Sequence, residues 1–155
     1  MSMRLRQALA VAMAVLLVTD LVGGLWTGAS GVTSWGDAWG SKALLAAPVP
    51  MILGQLVTAY LAVRYQRRWA AIPAGLLALA CLVSAVSGFF DGGLGNDALE
   101  PGMPAFQVFL LLVTGTVGVL AAVRAVALAR SGSPGRAPEA DADPHHRTAE
   151  ADKAL

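Results

Sequence analysis

The sequence predicts an all-α membrane protein, folded as an antiparallel bundle of four transmembrane helices with both termini in the cytoplasm. The first observation is composition: 56% of the 155 residues are hydrophobic and 14% are charged, whereas charged residues make up roughly a quarter of an ordinary soluble domain. The second is that the apolar residues form four runs, each close to the roughly 20 residues that cross a bilayer as a helix. The third is that Lys and Arg are concentrated in alternate connections between these runs, as the positive-inside rule requires.

The same composition excludes several other classes of protein. High hydrophobicity rules out disorder over most of the length. The net charge of +1, with the basic residues dispersed along the chain, argues against nucleic acid as a partner. The single cysteine, Cys81, cannot form an internal disulfide. No arrangement of serine, cysteine or carboxylate residues suits catalysis, so we expect neither an enzyme nor a cofactor-binding protein.

The four predicted spans cover residues 7–26, 43–63, 69–90 and 105–129, and they form one transmembrane domain over residues 1–130. At 1.5 Å per residue, runs of this length cross a hydrocarbon core of roughly 30 Å. Helices are expected because a span surrounded by lipid must satisfy its own backbone hydrogen bonds. The first run has a basic start but no small-residue cleavage site at the usual distance, so we expect it to be retained rather than removed as a signal peptide.

The connections between the spans differ in length and character. Residues 64–68 are so few that spans two and three must be antiparallel neighbours. Span two contains Pro48 and Pro50, which either kink the helix or mark its true start at Pro48, and the sequence leaves both alternatives open. Residues 131–155 combine Pro, Gly and mixed charge, and they are predicted to form a disordered cytoplasmic tail.

Orientation follows from the positions of the basic residues. One set of connections and ends holds eight arginines, whereas the other two loops hold only Lys42. Because Lys and Arg accumulate on the cytoplasmic side, both termini are predicted to be cytoplasmic, in a multi-pass protein of the cytoplasmic membrane. The eight residues are Arg4, Arg6, Arg64, Arg67, Arg68, Arg124, Arg130 and Arg136.

Small residues predict how the helices pack within the bilayer. Lipid is as apolar as leucine, so close approach of the backbones favours burying small side chains and leaving large ones against the lipid. Span three has one stripe of small residues and an opposite stripe of large ones, and span four repeats the pattern, so these two small faces are predicted to meet. The candidate packing residues are Ala74, Ala78, Cys81, Ala85 and Gly88 in span three and Thr114, Gly118 and Ala122 in span four.

One ionisable residue, Asp20, is well inside a predicted span. It precedes Trp26 by six residues, which places it about 9 Å from the outer aromatic belt. An intramembrane carboxyl group is costly and is a functional-site hypothesis by default. Two serines of span three lie at a similar depth, a lysine at the rim of the outer loop can reach down, and a glutamine occupies the middle of span two. The candidate intramembrane polar cluster is therefore Asp20, Ser84, Ser87, Lys42 and Gln55.

No metal site is predicted from the sequence. Residues 92–100 fit the calcium-binding nonapeptide repeat at every fixed position, but neighbouring repeats complete each ion's oxygen shell, and one copy cannot do so. The pair His145 and His146 in the tail has no carboxylate or cysteine cluster that would supply a defined site.

The chain resembles the small four-span integral membrane proteins of high-GC bacteria. The resemblance rests on the architecture of residues 1–130, and it implies a membrane bundle but no particular activity. The sparse polar content favours a non-enzymatic accessory or interaction subunit, whose partners are the lipid bilayer and other membrane proteins or a second copy of itself. The alternative hypothesis is a small ion- or proton-coupled transporter that uses Asp20. The two differ in whether Asp20 faces the other helices and a cavity or only the headgroups.

Overall fold

Four α-helices make up most of the computed structural model, which describes residues 3–40, 43, 45–90 and 101–131. Helix α1 is Met3–Ala29, α2 is Val49–Arg64, α3 is Ala71–Phe90 and α4 is Met103–Arg130. A short 3-10 helix, Arg68–Ala70, leads directly into α3. No β-strand occurs in these ranges. Lys42, the nonapeptide at 92–100 and the predicted tail with its histidine pair lie outside the described residues.

Three of these helices are long and apolar enough to cross a membrane, namely Met3–Ala29, Arg68–Phe90 and Met103–Arg130. Helix α2 is shorter, with 16 residues, which at 1.5 Å per residue is about 24 Å. That is less than the roughly 30 Å of a hydrocarbon core. The structure is therefore that of a helical membrane protein with three full-length candidate spans and one shorter apolar helix.

The start of α2 decides between the two alternatives that the prolines left open. The helix begins at Val49, with Pro48 in an extended conformation as its N-cap and Pro50 in its first turn. A proline in the first turn costs no helical hydrogen bond, because the first N–H groups of a helix have no intrahelical acceptor. The helix thus starts six residues later than the predicted span, and residues 45–48 are non-helical.

The helices pack around a core of mostly small and aliphatic side chains. The most extensive contact is between α3 and α4, and α1 packs on α4 and α2, while α2 packs on α3. Large side chains on the outer surface are exposed, among them Ile72, Leu76 and Leu79 of α3. The buried core residues are Leu9, Met13, Leu16, Ala59, Ala62, Ala74, Leu77, Ala78, Cys81, Val117 and Ala121.

Two glycines of α1 let the following chain approach the helix closely. A Cβ atom at Gly23 would overlap the carbonyl oxygen of Leu45, and one at Gly24 would overlap the indole ring of Trp39. The carbonyl of Trp39 in turn accepts a hydrogen bond of 3.0 Å from the N–H of Val49, the first residue of α2. Residues 45–48 are therefore held directly against α1, beside Asp20.

Candidate functional site: a buried polar cavity

Asp20 lies on the inner face of α1, with only 2% of its surface exposed. Its Oδ1 atom accepts a hydrogen bond of 3.0 Å from the backbone N–H of Ala47. Its Oδ2 atom is buried and has no hydrogen-bond partner among the described residues. A buried polar atom without a partner costs free energy comparable to a lost hydrogen bond. The Oδ2 atom can therefore still accept a hydrogen bond from a ligand.

A cavity of about 160 Å³ adjoins the carboxyl group of Asp20. Each of the four helices contributes one polar residue to its lining: Asp20 from α1, Gln55 from α2, Ser84 from α3 and Thr114 from α4. The rest of the lining is apolar and comes from the helices and from residues 46–48. It consists of Leu16, Ala46, Ala47, Pro48, Met51, Leu110 and Leu111.

The polar groups that line the cavity act mainly as hydrogen-bond acceptors. Gln55 is 4% exposed, its Nε2 donates to the Sγ of Cys81 at 3.9 Å, and its Oε1 is buried without a partner among the described residues. Thr114 donates its hydroxyl hydrogen to the carbonyl of Leu110 at 2.8 Å, and Ser84 directs its own toward the Sδ of Met51 at 3.8 Å. The oxygen lone pairs therefore remain available.

The only ionisable side chain that lines the cavity, among the described residues, is the acidic Asp20. Within the described part of the chain, no Lys, Arg or His contributes to the lining, and Asp20 is its one ionisable carboxyl group. Oxygen acceptors around a single carboxylate suit a proton, a monovalent cation or a small group that carries N–H donors. In residues 3–40, 43, 45–90 and 101–131, no group of three or more His, Cys, Asp or Glu could hold a metal ion.

The structure brings together three of the five residues of the sequence-based polar cluster. Asp20, Gln55 and Ser84 line the same cavity. Ser87 is half-buried and does not contribute to the lining, and Lys42 lies outside the described residues. Thr114, which the sequence analysis placed on the packing face of span four, is the fourth polar residue of the cavity.

The candidate packing residues of α3 and α4 are all buried or half-buried. Ala74, Ala78, Cys81 and Ala85 are buried in α3, as are Thr114 and Gly118 in α4, while Gly88 and Ala122 are half-buried. A Cβ atom at Gly118 would lie 2.8 Å from Cγ of Leu82, and one at Gly88 would overlap the side chain of Leu111. Toward its C-terminal end, the buried face of α4 runs through Ala121, Arg124 and Leu128.

Arg124 is a buried residue that the sequence analysis assigned to the membrane surface. It is 2% exposed, its Nε donates to the carbonyl of Ala62 at 3.1 Å, and one of its Nη atoms donates to the carbonyl of Tyr65 at 3.1 Å. Arg6 of α1 donates through Nε to the carbonyl of Val63 at 3.0 Å. Two arginines from different helices therefore bind the C-terminal end of α2, where the helix dipole favours positive charge.

The sequence contained a signal for the burial of Arg124, but none for its hydrogen bonds to α2. Five more apolar residues, 125–129, follow Arg124 in its run, so its side chain begins inside the bundle rather than beyond its end. Gln107 of α4 is a second buried polar residue that sequence reasoning missed. It is 7% exposed, and its Oε1 has no partner among the described residues.

Comparison of the chain with protein-family models, with curated proteins and with solved structures finds no match.

Proposed function

We propose that the protein is a multi-pass protein of the cytoplasmic membrane in which all four helices span the bilayer and both termini are cytoplasmic. The distribution of arginines in the sequence supports this orientation. The shortness of α2 is compatible with a span, because the non-helical residues 45–48 precede Val49 and lie against α1. At the other end of α2, Arg6 and Arg124 satisfy backbone carbonyls, which lipid cannot do.

For this bundle we propose the function of a small ion- or proton-coupled carrier, non-enzymatic, with Asp20 as its coupling group. The observation that carries the proposal is the buried Oδ2 atom of Asp20, which has no partner among the described residues and borders a cavity. A carboxyl group that served packing alone would gain by having both oxygens satisfied. In the sequence-based comparison of the two hypotheses, an Asp20 that faces the helices and a cavity favours the carrier.

The chemistry of the cavity defines the class of cargo. A proton neutralises the carboxylate of Asp20 directly, and a monovalent cation of suitable size gains in addition the lone pairs of Gln55, Ser84 and Thr114. An ionised carboxylate without a partner is costly inside a membrane. The loaded and empty states therefore differ in free energy, which is the requirement for coupling ligand binding to a conformational change. A carrier of this size would act as an oligomer.

The test is ion flux through purified protein in liposomes that carry a pH-sensitive or cation-sensitive dye inside. We expect an imposed membrane potential to drive proton or monovalent-cation flux with the wild type. Asp20→Asn should fold with an unchanged thermal midpoint, because its amide oxygen can accept from Ala47, yet should lose flux at least tenfold, because an amide carries no exchangeable charge. The matched control is Asp37→Asn, a loop carboxylate that bonds Ser34 and lies outside the cavity.

The accessory or interaction subunit is the second candidate, and one contact favours it. The bond from the Ala47 N–H to Oδ1 of Asp20 holds residues 45–48 against α1, and an asparagine can make the same bond. Under this hypothesis Asp20→Asn keeps its stability and every cellular phenotype, while Asp20→Leu loses stability modestly. Flux that is equal in wild type and Asp20→Asn would overturn the carrier in favour of a subunit that binds another membrane protein or a second copy.

A further inference from the structure

A groove of about 320 Å³ runs between α1 and α2 and shares no lining residue with the polar cavity. Its walls are apolar along most of its length, with Ala14 and Leu17 of α1 facing Leu56 and Ala59 of α2. At one end it is bordered by cationic side chains, those of Arg6 and Arg64. One end of the groove is therefore basic and the rest is apolar.

The basic end is built to present hydrogen-bond donors. Arg6 is fixed in position because its Nε donates to the carbonyl of Val63, and no described residue accepts from its two Nη atoms. Arg64 is exposed at the end of α2, and Tyr60 lies one turn before it on the same face. Two guanidinium groups and a phenol, all lining the same groove, supply hydrogen-bond donors of the kind that bind the oxygens of a phosphate group.

The length of the groove matches one leaflet of a bilayer. Along α1 the distance from Arg6 to Leu17 is about 16 Å at 1.5 Å per residue, which is about half of the roughly 30 Å hydrocarbon core. Small side chains at Ala10 and Ala14, one turn apart and both exposed, leave room for a chain to lie against the helix.

We propose that this groove binds an anionic phospholipid, with its phosphate at Arg6 and Arg64 and one acyl chain along Ala10, Ala14 and Leu17. Basic pockets between helices on the cytoplasmic side are suited to anionic headgroups, and charge complementarity selects the headgroup while the apolar walls select the tail. The proposal requires that the protein is inserted in a bilayer, but it does not depend on Asp20. Its test is therefore separate from the test of the carrier function.

The test compares phosphatidylglycerol with phosphatidylcholine of the same acyl chains, added to the full-length protein in mild detergent. Binding is read by native mass spectrometry and by the shift in thermal midpoint. We expect phosphatidylglycerol to bind and to raise the midpoint, with a clearly smaller effect of phosphatidylcholine. Arg64→Gln should weaken the binding of phosphatidylglycerol about fivefold, since a basic residue near an anionic surface is worth about that factor.

Two further variants keep the proposal falsifiable. Arg67→Gln removes the same charge from the same connection but outside the groove, and it should change binding less than twofold. Ala14→Phe fills the groove without altering charge, and it should weaken binding of the lipid while leaving the midpoint of the lipid-free protein unchanged. Equal effects of Arg64→Gln and Arg67→Gln, full binding by Ala14→Phe, or equal stabilisation by inorganic phosphate alone would each overturn the proposal.

Discussion

Asp20 and Gly23 lie about one turn apart on α1, and both contact the short non-helical segment before α2. The carboxyl group of Asp20 accepts the N–H of Ala47, and Gly23 lies so close to the carbonyl of Leu45 that a Cβ atom there would overlap it. The absence of a side chain at Gly23 therefore lets residues 45–48 come close enough for the bond to Asp20 to form. Gly23 has no polar side chain of its own, yet its small size allows the one acidic group of the cavity to gain its hydrogen-bond partner.

Gly23→Ala should destabilise the protein by about 1–3 kcal/mol, because the added methyl group meets backbone rather than a flexible side chain and has to displace it. The measurement is the free energy of unfolding in detergent, with the thermal midpoint as a second probe. Gly54→Ala is the matched control, since a Cβ atom at Gly54 would have no atom within 4 Å. Equal stability of Gly23→Ala and Gly54→Ala would show that residues 45–48 do not pack on α1 as described.

The location of Asp20 within an apolar helix could be predicted from the sequence, but its hydrogen-bond partner could not. Counting residues from Trp26 predicts that the carboxyl group lies inside the first span. The same kind of count along span three predicts a similar depth for Ser84. The N–H of Ala47 is available because α2 begins only at Val49, after Pro48, and the prolines alone fitted a kink equally well. For single polar residues such as Thr114 and Gln107, the sequence does not show whether the side chain lines a cavity or packs against another helix.

Helix α2 is the shortest of the four, and its C-terminal end is completed by side chains from two other helices. The last four carbonyls of a helix have no intrahelical donor. Here Arg124 donates to Ala62 and Tyr65 and Arg6 donates to Val63, and the positive charges complement the negative end of the helix dipole. The contact ties α1 and α4 to the same point of α2, so that three helices share one electrostatic anchor.

Arg124→Gln should lower the free energy of unfolding by about 1–3 kcal/mol, the cost of leaving buried carbonyls without donors. Arg124→Lys should recover only part of the loss, because an ammonium group lacks the planar fork that reaches two carbonyls together. Arg130→Gln is the control, since Arg130 is exposed at the end of the same helix. Unfolding in detergent measures all three variants, and a loss for Arg130→Gln as large as that for Arg124→Gln would contradict the anchor.

The apolar runs predicted the bounds of α3 and α4 well and those of α1 and α2 less well, since α1 extends from Met3 to Ala29 rather than over 7–26. Helices α3 and α4 begin and end within two residues of the predicted spans 69–90 and 105–129, because long apolar runs leave little choice in lipid. The anchor at α2 was not predictable, since counting arginines assigns both Arg6 and Arg124 to the interface. A count of charges cannot tell a side chain that points to water from one that turns inward to a helix end.

At the scale of the whole molecule, many large apolar side chains lie on the outer surface of the described helices. Large residues such as Ile72, Leu79 and Phe90 are more than 60% exposed, whereas Ala74 and Cys81 are fully buried. In water such a surface would be a large unsatisfied apolar area, but in lipid it is the favourable arrangement, because small buried residues maximise contact between helices. The distribution therefore supports a bilayer as the solvent of the described helices.

The topology of the whole chain depends on whether the short helix α2 crosses the bilayer. If it does, the loop before it and the connection after it lie on opposite sides, so reporter fusions after Arg68 and after Arg130 should show cytoplasmic activity, and fusions within residues 33–40 should show periplasmic activity. The basic residues favour this outcome, because they are concentrated at the N-terminus, at 64–68 and at the C-terminal end of α4. If α2 instead entered and left by the same side, the reporters at 33–40 and after Arg68 would agree with each other. The fusion after Arg130 would then lie opposite the N-terminus, and the four-span bundle would be replaced by one of three spans with a helix partly inserted between them.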